Sequence, residues 1–74
     1  MTLGEYRVGI TFNPDGNAHV NEIKRRAADL IDYLNDWNSG DNPEAHELVL
    51  IAMRKIESAA MDGVKAVTKG PFNA

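Results

Sequence analysis

The chain contains no cysteine, so no disulfide can staple it and no thiolate can act as nucleophile or metal ligand. Its early glycines, Gly9 and Gly16, stand alone, and neither fits a P-loop or a dinucleotide fingerprint. The longest unbroken apolar run, Leu48 to Met53, is far too short to span a bilayer. Basic residues number 8 against 11 acidic ones, a net charge of −3. That balance argues against binding a DNA or RNA polymer, which requires a net basic face. A small anionic ligand needs only a few local cations and stays open. Met1-Thr2-Leu3-Gly4-Glu5 lacks a basic flank and no apolar run follows, so no targeting segment is expected. The absence of cysteine fits a cytosolic setting.

What is present reads as one small folded domain. The 43% apolar content is ordinary for a globular chain. At 74 residues, however, a single core rarely supplies more than a few kcal/mol without disulfides, metal or association. With no cysteine and no Cys/His cluster, association is the expected source of extra stability.

Taken in order, Tyr6, Val8, Ile10 and Phe12 alternate with Arg7, Gly9 and Thr11, a period-two pattern that predicts an extended N-terminal arm over residues 1–16. The arm either packs along helices or reaches into a site and presents Phe12. Asn13-Pro14-Asp15-Gly16 is a strong turn signal. Asn17 suits an N-cap, and Val20, Ile23, Ala27, Leu30, Ile31, Leu34 and Trp37 form one apolar stripe at helical spacing, predicting a helix over about 18–38. Lys24-Arg25-Arg26, the chain's one basic cluster, reads either as a solvated helix face or as a phosphate contact. Residues 39–42 form a turn. Asn42 then caps a second helix over about 43–69, with Pro43 at its first position and Gly70-Pro71 ending it before a short tail, 70–74.

That second helix carries two apolar lines: Ala45, Val49, Ala52, Ile56, Ala59, Gly63 and Ala66, and, about a hundred degrees around, Met53, Ala60, Val64 and Val67. One line suits the hairpin partner. The second is expected to pack on other copies, while Ala59, Gly63 and Ala66 of the first are small enough to let another helix approach closely. The fold class is therefore all-α: an antiparallel two-helix hairpin with an extended arm, assembled as a homo-oligomer.

No enzyme signature emerges. Ser39 and Ser58 lie in no motif with His19 or His46, and His19 with Glu22 gives two ligands where a metal needs more. Aspartate pairs such as Asp29 with Asp32 are explained by solvation. What survives is a vocabulary for nucleotide binding: an aromatic at a turn (Phe12), amide donors beside it (Asn13) and nearby cations (Lys24, Arg25, Arg26). A helical protein-interaction module is the competing reading, carried by the same double stripe.

Residues 55–68, Lys-Ile-Glu-Ser-Ala-Ala-Met-Asp-Gly-Val-Lys-Ala-Val-Thr, resemble the K(I/L)E-x-A-x-M-x-x-V-K-x-x-T helix of small phage proteins in the anti-CBASS sponge family, whose hairpin domain is shared with a Thoeris anti-defence sponge. Val20-Asn21-Glu22-Ile23-Lys24 resembles that family's first long helix. Asp62 stands where the family often has an aromatic. The resemblance implies a helical homohexamer in the cytoplasm of an infected bacterium. It would sequester cyclic oligonucleotide messengers, such as cyclic GMP-AMP, without cleaving them and without a cofactor. It implies Phe12 stacking on a base, with Asn13, Lys24 and Arg25 completing a cyclic dinucleotide site between protomers. Arg54, Lys65 and Thr68 would belong to a separate three-fold cyclic trinucleotide pocket.

Overall fold

The computed structural model describes residues 1–72; the last two residues of the expected 70–74 tail lie outside the described residues. Within them the chain forms three helices and no strand: α1 (Leu3–Val8), α2 (Ala18–Trp37) and α3 (Pro43–Thr68). The two long helices fall where their capping signals place them. Asn17 Oδ1 accepts the His19 and Val20 N–H groups, and Asn42 Oδ1 accepts those of Glu44 and Ala45, satisfying donors that a helix start leaves free. Across the connecting turn, Asn38 Nδ2 lies 2.7 Å from His46 Nδ1.

The expected extended arm is instead the helix α1. Thr2 and Glu5 form a capping box: the Glu5 N–H donates to Thr2 Oγ1 at 3.1 Å, and the Thr2 N–H donates to Glu5 Oε1 at 2.8 Å. Gly9, at φ 63°, ψ 55°, supplies the left-handed cap that ends the helix. A solitary strand would leave its backbone groups without a ladder, whereas one capped turn satisfies them locally. The period-two residues divide accordingly. Val8 is buried and Ile10 packs against the core, while Tyr6 and Phe12 face solvent.

α1 lies across α2 at a point where neither helix has bulk. A Cβ on Gly4 would run into the Ala28 carbonyl, and the Gly4 N–H donates to Asp32 Oδ1 at 2.7 Å. Arg25 pairs with Glu5 at 3.0 Å, and Arg7 reaches Glu57 of α3 at 3.4 Å. The hairpin therefore has a third helix on one side, and Val8, Ala28, Ile31, Val49 and Met53 form the shared core. Fully burying a side chain the size of Ile31 or Met53 stabilises by about 1.5–3 kcal/mol.

The packing within the chain corrects the expected role of the two α3 stripes. Met53 and Ala60 are buried within the chain rather than held for another copy. Gly63 packs on Ile23 of its own α2, where an added Cβ would lie 3.3 Å from Ile23 Cγ2. α2 likewise turns Lys24 and Ala28 inward, while Leu30 and Trp37, expected in its stripe, are 50% and 61% exposed. At 100° per residue, Leu30, Tyr33 and Trp37 share the flank of α2 turned away from Ala28 and α1. Exposed Leu48, Ala59 and Ala66 fall on the corresponding flank of α3. The molecule measures 51 × 24 × 12 Å, and a thickness of about one helix leaves that apolar flank uncovered.

Candidate functional site

The loop between α1 and α2 is held by side chains from α2. Asn13 commits its amide to it: Nδ2 donates to Asn17 O and to Asn21 Oδ1, both at 2.8 Å, while Oδ1 accepts the Asn17 N–H at 3.1 Å. The Gly16 N–H donates to Asn13 O at 3.1 Å, closing the expected turn. Beneath the loop runs Lys24, only 3% exposed. Its ammonium donates to Gly9 O at 2.9 Å and to the carbonyl of Phe12. It also lies 5.5 Å from the centroid of the Phe12 ring, within cation–π range. Phe12 is 72% exposed, an aromatic platform pinned through its own backbone.

Lys24 sits where it does because Val20, Ala28 and Ile31 share its face of α2. A residue at that register goes inward, and its flexible stem brings the charge to the rim. Burying an ammonium is costly unless polar partners surround it. Here the partners are carbonyls, and no carboxylate among the described residues pairs with it. Among the described residues, two of its three donors are used.

Phe12, Asn13, Pro14 and Asp15 from the loop form one wall of a cleft of 310 Å³. Asn17, the N-cap of α2, lines it together with Val20 and Lys24 of α2 and with Met61, Val64 and Thr68 of α3. The surfaces are chiefly apolar with a few convergent polar groups, the usual make-up of a small-molecule site, and the volume is at the small end of the usual range. Of the expected dinucleotide residues, Phe12, Asn13 and Lys24 meet here. Arg25 does not line the cleft; it is held by Glu5 and by Asp29 at 2.9 Å. Those contacts favour its charged form, and Glu5, bonded to the Thr2 backbone and to Arg25, is lowered to about 2.

Thr68, expected at a separate trinucleotide pocket, lines this same cleft, its hydroxyl donating to Val64 O at 2.7 Å. Arg54 and Lys65 are exposed on α3 and do not line it. Sequence reasoning missed Pro14, Asp15, Asn17, Val20, Met61 and Val64 as lining residues. Asp15 could have been found from its place beside Phe12 in the turn, whereas the α3 wall becomes visible only once the hairpin is closed. No group of three or more His, Asp or Glu among the described residues could hold a metal ion, and no described helix is long and apolar enough to cross a membrane.

A helical hairpin with a clamped aromatic loop over one end defines a small all-α hairpin domain with a surface cleft. Comparison with known families is specific: residues 5–68 match the model for the Acb2/Tad1 hairpin domain. The chain belongs to that family, the anti-CBASS sponges, whose domain is shared with the Thoeris sponge Tad1. No curated protein and no solved structure matches the chain.

Proposed function

We propose that this chain is a phage anti-defence sponge that binds cyclic dinucleotides, such as cyclic GMP-AMP, in the cleft beneath Phe12 and holds them without cleavage, depriving a host immune effector of its activator. The observation that carries the reading is Lys24: a buried ammonium at the edge of an apolar cleft which, among the described residues, donates to two carbonyls and keeps its third donor free. A phosphate is the anion that such a donor suits. Phe12 stacks on a base, Lys24 meets a phosphate, and Asn13 fixes the turn that carries them. A cleft of 310 Å³ is small for a whole cyclic dinucleotide, so one chain holds one half of a two-base ligand and a neighbouring copy holds the other.

The uncovered flank of Leu30, Tyr33, Trp37 and Leu48 supplies the apolar surface for a homo-oligomer, and a hexamer is the assembly the family resemblance implies. Binding then works by stoichiometric mass action in the host cytoplasm, about 1.4 kcal/mol for each tenfold in Kd. Calorimetric titration of the wild type and Phe12→Ala with cyclic GMP-AMP tests it. Loss of stacking is worth about 1–3 kcal/mol, so the variant should bind roughly 5- to 150-fold more weakly. A wild-type Kd would remove Phe12 as the base platform.

A further inference from the structure

We propose that Asp15 reads the base held on Phe12, and that the base it selects is guanine; the inference rests on the cleft being a cyclic dinucleotide site. Among the described residues, Lys24 and Asp15 are the two ionisable side chains lining the cleft. A carboxylate there is a poor neighbour for a phosphate, so it faces another part of the ligand. Its place in the chain says which part. Asp15 follows Phe12 through a tight turn closed by the Gly16 N–H on Asn13 O, and both residues line the one cleft. A base stacked on an aromatic ring presents its hydrogen-bonding edge sideways, in the plane next to the ring. The Asp15 side chain is exposed and in no ion pair among the described residues, so its oxygens are available to accept.

An ionised carboxylate is acceptor-only, with two oxygens side by side. The Watson–Crick edge of guanine offers two adjacent donors, N1–H and the N2 amino group, and matches both. Adenine offers its N6 amino group next to the N1 lone pair, which a carboxylate repels. Cytosine has the same mismatch, and uracil has one N–H between two carbonyls. Among the four bases, guanine alone fills both oxygens without placing a lone pair against them.

Cyclic di-GMP and cyclic di-AMP, which carry the same two phosphates and riboses, are the probes. The wild-type protein should bind the guanine ligand about 5- to 150-fold tighter, the range that a bidentate base contact confers. Asp15→Asn keeps a residue that this turn tolerates but replaces one acceptor with a donor, a pattern that suits adenine. The ratio should collapse towards one or invert. Removing a negative charge strengthens both ligands alike and leaves the ratio untouched, so the ratio isolates base reading. A ratio in Asp15→Asn within about twofold of wild type, or equal weakening of both ligands as a ribose contact would give, overturns the assignment of Asp15 while leaving the cleft's reading intact. Binding of neither ligand by the wild type overturns both.

Discussion

Replacing Lys24 with methionine keeps the length and apolar stem of the side chain and removes the ammonium. The Gly9 carbonyl retains the Phe12 N–H at 2.9 Å. The Phe12 carbonyl has only Lys24 as a donor among the described residues. Stranding one such acceptor costs about 1–3 kcal/mol, and relief of the ammonium's desolvation offsets part of it. For a domain of this size each kcal/mol moves Tm by roughly 4–8 °C. A drop of about 4–15 °C is therefore expected in far-UV circular dichroism, with wild type and variant melted at equal protein concentration because association shifts apparent stability. The same variant should lose about 10- to 150-fold in cyclic GMP-AMP affinity in calorimetry well below its Tm, since a charge-assisted contact of about 1.5–3 kcal/mol goes with the charge. Arg25→Met is the control. Its partly exposed ion pairs contribute about 1 kcal/mol and it does not line the cleft, so affinity should hold. If Lys24→Met melts and binds like wild type, the ammonium neither holds the loop nor meets the ligand.

Further outcomes follow from the same geometry. Gly4→Ala should destabilise by at least about 1–3 kcal/mol, because its methyl would meet the Ala28 backbone and rigid overpacking is not relieved by a rotamer change; an unchanged melt would mean that α1 does not dock there. Glu5, lowered to about 2 from 4.5 by the Thr2 backbone and Arg25, contributes stability that is fully present above pH 4.5 and is lost as pH falls through about 2. Glu5→Gln should flatten that part of the acid unfolding profile, and an unaltered profile would count against the capping box as its source. Trp37→Glu places a charge on the uncovered flank and should reduce the mass in light scattering towards the 8.1 kDa monomer. An unchanged mass would show that copies associate elsewhere.

The long hairpin was legible because each of its signals is local: Asn17, Asn42 and Pro43 mark helix starts, and apolar spacing marks the lengths. α1 was hidden by a coincidence of pattern. Tyr6, Val8, Ile10 and Phe12 alternate as a strand would, while the Thr2–Glu5 capping box and Gly9 argue for a helical turn. Missing α1 widened the apparent surplus on α3, since Met53 shares its core cluster with Val8 of α1. The inward register of Lys24 was readable from Val20, Ala28 and Ile31; its partners were not, because Gly9 and Phe12 reach it only through the fold of the loop. Gly63, expected at a contact between copies, instead accommodates Ile23, so a bulky residue there would disrupt the hairpin itself.

A sponge captures its ligand without changing it, and one experiment reads both properties. The protein is mixed with excess cyclic GMP-AMP, unbound ligand is removed by filtration, the protein is digested with protease, and the released nucleotide is identified by mass spectrometry. A sponge should retain nucleotide in fixed proportion to protein and return intact cyclic GMP-AMP. Recovery of linear or otherwise altered nucleotide, or no retained nucleotide at all, would contradict it.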